Sequence, residues 1–475
     1  MAESHTLRPA VPPIIQGGMG VAISDWRLAR AVSLRGQLGV VSGTAIETVV
    51  VRRLQDGDIG GHMRRAIAAF PIPEAAADVL QRYFRPDGRA PGVKYKMLPM
   101  YRQVVSRTRQ WATMVSAFVE VYLAKEGHKG LVGMNLLTKI QVPNLPTLYG
   151  AMLAGVDVIL MGAGIPREIP LALDHLAVHQ AASLRFEVEG LAPGREERIT
   201  FNPQDYWTTT PPELKRPVFL AIIASNSLAN MLARKATGKV DGFVIEGPTA
   251  GGHNAPPRGE TRYNERGEPV YGERDEVDLA KMSELGLPFW LAGGAGRKGR
   301  LREAQAAGAA GIQVGTLFAY SDESGMAEEL KRPVLTHAAN GEVTVMTDPR
   351  ASPTGYPFKV VQWPGSPGAK VARERLCDLG VLRVAYVNPQ GKIGYRCSSE
   401  PIDDYLKKGG DLAETVGRQC LCNALLADIG MAQLRDTGES EPSIVTSGDD
   451  LQAIGCFLAG RTSYSANDVL DYLLA

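Results

Sequence analysis

One recurrence constrains this chain more than anything else in it. Short apolar runs rich in Val, Ile and Leu return again and again, each closed by a glycine-containing turn. Eight stand out up to residue 316: Pro13–Gln16, Leu38–Ser42, Leu131–Asn135, Val156–Met161, Val218–Ile223, Gly242–Glu246, Phe289–Ala292 and Gly311–Gly315. Continuous apolar runs suit parallel strands covered on both faces. Period alone does not separate a run this short from a buried helix segment, so the flanks decide. Helix-like stretches lie between most of the runs, at Asp25–Leu34, Leu145–Leu153, Ser227–Lys235 and Lys298–Ala307. Strand–helix alternation over eight units predicts an α/β fold, a (β/α)8 TIM barrel. A doubly wound parallel sheet is the alternative.

Spacing locates the additions to that barrel. The stretch 44–130 between the second and third runs carries helical patterns, notably Met100–Lys125, and reads as a helical insertion after strand 2. A second excursion runs over 182–215. A third, 254–277, is charged and rich in Gly and Pro, a composition that suits a lid. The expected organisation is therefore barrel start 1–43, insertion 44–130, remaining barrel 131–330, and a C-terminal extension 331–475 packed on the barrel. A barrel takes about 250 residues, so the 475 residues leave ample material for these additions.

Charge and cysteine content exclude several classes. Lys+Arg number 52 and Asp+Glu 51, a net charge of +1, which argues against attraction to nucleic acid or anionic lipid. Five cysteines do not make a disulfide scaffold. Met1–His5 shows no basic segment followed by an apolar run, and no window approaches a membrane span. The expectation is a cytoplasmic protein with no membrane partner.

The strongest chemical signal is Glu246-Gly247-Pro248-Thr249-Ala250-Gly251-Gly252-His253-Asn254, directly after the sixth run. In a parallel barrel that position is the C-terminal face, where catalytic groups gather. The glycine pair lets main-chain N–H groups approach a phosphate or flavin, and His253 suits a general acid or base near neutral pH. The plainer alternative is a loop histidine in a glycine-rich turn. Leu291-Ala292-Gly293-Gly294-Ala295-Gly296-Arg297 and Gly315-Thr316 follow the seventh and eighth runs, where barrels build phosphate sites. Arg297, Lys298 and Arg300 add positive charge there, or form only a solvated helix face. Gln16-Gly17-Gly18-Met19-Gly20 ends the first run and suits main chain lying against a flat ligand, or a plain turn. Asn135 and Met161-Gly162-Ala163-Gly164 face the same mouth.

In this order, Pro13–Gly20, Ala250–His253, Ala292–Gly294 and Gly315-Thr316 resemble the nitronate monooxygenase family, the 2-nitropropane dioxygenase-like flavoproteins. The resemblance covers residues 12–50 and about 131–330. It implies a TIM barrel that binds FMN at its C-terminal face. Within that resemblance, Gly18, Met19 and Gly20 are the segment against the isoalloxazine, and Asn135 is a polar group touching the ring. Gly251, Gly252, Gly293, Gly294, Gly315 and Thr316 are the phosphate cradle, and His253 is the catalytic histidine. The chain departs from many relatives at the end of strand five. They carry a Lys there, whereas this sequence reads Ala221-Ile222-Ile223-Ala224-Ser225.

The activity so implied is oxidation of nitronates or nitroalkanes, with FMN as electron acceptor, O2 as final acceptor and His253 as base. A second reading keeps FMN but makes NAD(P)H the donor and an enoyl thioester the acceptor, with an acyl carrier protein as possible partner of the insertion. A third is a non-redox barrel, an isomerase or lyase binding a phosphorylated substrate. In the extension, Cys377, Cys397, Cys420 and Cys422 read as buried thiols, with a metal site as the lesser alternative. The site as read from sequence holds no metal.

Overall fold

The computed structural model describes residues 10–366 and 373–475, so Met1–His5 lies outside the described residues. Each of the eight apolar runs holds a strand. They are β1 (Ile14–Gln16), β2 (Gly39–Ser42), β3 (Val132–Leu137), β4 (Val158–Gly162), β5 (Val218–Ile223), β6 (Gly242–Glu246), β7 (Phe289–Ala292) and β8 (Gly311–Val314). All neighbours pair in parallel, in the order β1-β8-β7-β6-β5-β4-β3-β2. The two ends of that order meet. Ile15 bridges Leu38, with Leu38 N–H donating to Ile14 O at 3.1 Å and Gln16 N–H to Leu38 O at 2.9 Å. Gln16 Oε1 tightens the seam by accepting Val40 N–H at 2.9 Å. A doubly wound sheet has two open edges, so this seam makes the architecture a (β/α)8 barrel.

Alternation along each strand sorts the core into two layers. Ile15, Val40, Leu160, Leu220, Val244 and Trp290 pack with one another in one cluster inside the barrel. Ile14, Val41, Ile159, Phe219 and Phe243 belong to a separate, larger cluster with the surrounding helices. The helices start where capping residues stand: Asp25 accepts Arg27 N–H at 2.9 Å to begin α1 (Trp26–Leu34).

Between β2 and β3 lie α2 (Ile46–Gln55), α3 (His62–Ala68), α4 (Pro73–Tyr83) and α5 (Arg107–Lys125). The last is almost wholly buried and packs on the other three. Its buried charges, Arg109 and Glu120, are paired inside the protein. Arg109 meets Glu47 at 2.8 Å, both side chains nearly inaccessible, and its guanidinium lies 3.9 Å from the Tyr101 ring centre. The excursion 182–215 contains an antiparallel hairpin, Ala182–Phe186 with Glu197–Phe201, which the apolar-run count did not reveal.

The extension grips the barrel at several points. Its strands Thr344–Asp348 and Phe358–Gln362 pair with each other, and Val384–Val387 pairs with Val188–Glu189 of the excursion. Its closing helix Ala466–Leu474 packs on α1, where Arg35 meets Asp471 at 2.6 Å. No helix among the described residues is long and apolar enough to cross a membrane.

Arg109→Ala leaves Glu47 as an unpaired buried charge and is expected to cost about 3–5 kcal/mol. The measurement is the shift of the denaturation midpoint. The double change Glu47→Leu with Arg109→Met should cost much less, because it removes both charges.

Candidate active site

The C-terminal strand ends open onto a cavity of about 240 Å³. The residues that the resemblance assigns to flavin binding and catalysis line it: Gly18, Met19 and Gly20 after β1, Asn135 in β3, Gly251, Gly252 and His253 after β6, Gly293 and Gly294 after β7, and Gly315 and Thr316 after β8. Asn135 Nδ2 donates to Gly18 O at 3.2 Å and so ties the first loop to the third strand. Gly293 sits at φ +87°, and a Cβ there would lie 2.8 Å from Thr249 Oγ1, so this turn requires glycine.

His253 is fixed by main chain and side chain together. Asn254 N–H donates to Pro357 O and Lys359 N–H to Gly252 O, each at 2.9 Å, so the loop after β6 pairs with the extension. His253 Nε2 lies 2.6 Å from Ser352 Oγ, and its ring meets Phe358 edge-on at 4.9 Å between centroids. Burial, helped by the nearby charge of Lys139, pushes the imidazole down to about 4. It is therefore neutral across the physiological range.

A second cavity of about 260 Å³ adjoins the first, and the two share Leu137, Ala163, Ile222, Glu246, His253 and Leu382. Burial lifts the Glu246 carboxyl to about 7. Lys139, in the loop after β3, enters the second cavity with Nζ 3.1 Å from the Tyr356 ring centre. Burial lowers its ammonium to about 8, against an opposing pull from Glu187.

The extension also enters the glycine loops. Gly252 N–H donates to Thr446 Oγ1 at 2.8 Å, and Asp449 N–H to Thr249 O at 3.0 Å. The Thr316 hydroxyl donates to the Asp450 carboxylate and accepts Gly448 N–H at 3.2 Å. A Cβ on Gly251 would come within 2.8 Å of the Ser447 carbonyl carbon, so the close approach of the two segments needs glycine at 251. Arg297 and Arg300 pair with Glu303 on the barrel's outer surface and do not line the cavity. Four of the five cysteines in the extension, Cys377, Cys397, Cys420 and Cys422, border one small void of about 10 Å³. Burial raises Cys377 to about 12 and Cys397 to about 11. Among the described residues, no group of three or more His, Cys, Asp or Glu is placed to hold a metal ion.

Residues 198–353 match the family model described as nitronate monooxygenase, a span that runs from the excursion through β8 into the extension. This stretch of the chain is thus similar to nitronate monooxygenase. That places it among oxidoreductases. No curated protein matches it. Among solved structures, FabK from Thermotoga maritima aligns at 16% identity with TM-score 0.47, over 98% of this chain and 91% of that one. A nitroalkane oxidase from Streptomyces ansochromogenes aligns at 16% identity and TM-score 0.39, over 74% and 76%. The enoyl reductase domain of MlnA, from the macrolactin cluster of Bacillus amyloliquefaciens, aligns at 13% and 0.46, over 97% and 92%.

Two features of the site escape a motif reading: Lys139 and the Thr446–Asp450 segment. Lys139 is a lone lysine in Leu137-Thr138-Lys139-Ile140, and only the fold shows which way it faces. By NMR titration of the ring, His253 is expected to stay neutral down to about pH 4. Lys139→Met should raise its pKa, since the lysine charge lowers it. A wild-type midpoint near 6.5, the ordinary value, would contradict this assignment.

Proposed function

We propose that this oxidoreductase is FMN-dependent and oxidises nitronates with O2 as final electron acceptor. The observation that carries the reading is His253 in the wall common to two adjoining cavities, one lined by glycine loops and the other bearing Lys139. The first cavity fits FMN. A Cβ on Gly252, at φ +78°, would meet no protein atom within 4 Å, so the main chain there is open to a ligand. Gln313 Oε1 in the wall is buried without a partner. Gly251, Gly252, Gly293, Gly294, Gly315 and Thr316 would hold the phosphate. They would do so through main-chain N–H groups, that of Gly252 once released from Thr446 Oγ1, and the Thr316 hydroxyl, since no Lys or Arg side chain lines this cavity among the described residues. Gly18, Met19, Gly20 and Asn135 would face the ring system. FMN, when bound, supplies the electron-accepting chemistry.

The chain's own contribution is electrostatic and steric. A base works best when its pKa lies near the operating pH. An imidazole at about 4 is far below that, so it removes a carbon-bound proton slowly. A nitronate has already lost that proton. The site is thus better matched to nitronates than to neutral nitroalkanes, with His253 orienting the substrate and assisting deprotonation only of the neutral form. An enoyl thioester reductase using NAD(P)H, with a carrier-protein partner, has one observation in its favour. Glu246, lifted to about 7 in the shared wall, is a carboxylic acid able to deliver a proton near neutral pH.

One purification separates the readings. The protein should be yellow, and anaerobic mixing with propyl-1-nitronate should bleach the flavin while NADPH does not. Fast bleaching by NADPH would favour the reductase, and a colourless protein that takes up no FMN would remove both. His253→Ala should depress turnover of 1-nitropropane more than that of its nitronate; full activity on both would end the base role. Asp450→Asn removes a carboxylate competing for the Thr316 hydroxyl. It is expected to tighten FMN binding about tenfold while leaving riboflavin, which lacks the phosphate, unchanged in a flavin-fluorescence titration.

A further inference from the structure

The second cavity contains a positive charge that its own walls do not neutralise. Lys139 Nζ rests over the Tyr356 ring, and no carboxylate stands within ion-pair distance of it among the described residues. The other ionisable groups around the cavity are accounted for. Asp275 accepts the main-chain N–H groups of Arg258 and Gly272, each at 2.9 Å. The Arg258 guanidinium donates to Ala224 O at 2.6 Å, and the Tyr271 hydroxyl to Ala255 O at 2.9 Å. His253 is neutral, and Glu246 is lifted to about 7. Arg258 and Asp275 keep their charges but are held by main chain, whereas the Lys139 ammonium, partly stripped of water, faces a space walled by Ile165, Ile222, Ile223 and Leu228. A desolvated cation without a counter-ion is held at a cost, which the aromatic face of Tyr356 offsets only in part. A ligand anion would remove that cost.

We propose that this chamber binds the anionic head of a small organic substrate, a nitronate or carboxylate, on Lys139 beside His253, with the carbon chain against the apolar wall. The proposal deepens the nitronate reading above and rests on it for the substrate's identity, but oxyanion binding itself does not require the flavin. It also discriminates between reactions. A neutral nitroalkane or an enoyl thioester offers Lys139 no charge, whereas a nitronate spreads a full negative charge over two oxygens. Lys139 thereby acts as a specificity-determining residue for the charge state of the substrate.

Isothermal titration of the purified protein with butyrate and its neutral isostere butyramide tests this without turnover, the visible spectrum of the same sample recording its flavin content. Wild type should prefer butyrate by about tenfold or more, as expected for a charge-assisted hydrogen bond. Lys139→Met should abolish the preference while leaving butyramide binding unchanged, and Lys139→Arg should keep it. Butyrate affinity should fall as pH rises through about 8, where Lys139 loses its proton. The groups facing Lys139 are Tyr356, His253 and, at longer range, Glu187. Glu246, ionising near 7 across the cavity, would weaken anion binding in the same direction, so Glu246→Gln should leave only the step near 8. Equal affinities for the two probes in wild type, or an unchanged preference in Lys139→Met, would overturn the proposal. A colourless protein that still prefers butyrate would instead sink the flavin reading and leave the anion site standing.

Discussion

Closing an eight-stranded parallel sheet on itself sends all eight C-terminal strand ends to one face, and the candidate site hangs from that face. The seam between Ile15 and Leu38 is what makes the closure. Gln16 is buried in it and bonded to Val40, so the residue that seals the barrel directly precedes the Gly17–Gly20 loop. Register in the seam therefore sets where Gly18 meets Asn135. A slip of one residue would reverse which side chains point into the barrel, and the loops would no longer converge.

The extension is part of the site. Ser352 bonds to His253, Phe358 packs against its ring, and Thr446–Asp450 threads among the loops after β6, β7 and β8. The burial that drives His253 to about 4 thus comes partly from residues far outside the barrel sequence. A barrel lacking this extension would expose the imidazole and return it toward its ordinary value near 6.5. The electrostatics of the site are in this sense a property of the docked extension as much as of the barrel.

The barrel was legible because its strands are apolar on both faces, and that leaves uninterrupted runs that alternate with helices. The glycine loops were legible for a related reason: close main-chain approach excludes a Cβ, so the requirement is written into residue type, as at Gly251 and Gly293. Lys139 and Asp450 were not legible. A single lysine or aspartate has the same identity on a solvated surface and in a cavity, and only tertiary placement distinguishes them. The hairpin 182–201 escaped for another reason. Its strand Ala182–Phe186 is half-exposed, with Arg185 turned to solvent, so it lacks the continuous apolar signature of the barrel strands.

Charge is distributed unevenly between the two adjoining cavities, and the asymmetry has a chemical reading. The glycine-lined cavity presents main-chain N–H groups and, among the described residues, no cationic side chain, and Asp450 reaches into it, so an anionic ligand there depends on fixed main-chain dipoles. The second cavity holds the mobile charge, Lys139, poised by burial near the physiological range. Between them stand His253, kept neutral, and Glu246, kept largely protonated below about 7. Neither contributes a full charge to the shared wall under mildly acidic conditions. The full side-chain charges around the second cavity are then those of Lys139, Arg258 and Asp275. The Ala221–Ser225 stretch at the end of β5 carries no cation. In this fold a lysine from the loop after β3 brings a positive charge to the same mouth from a different strand.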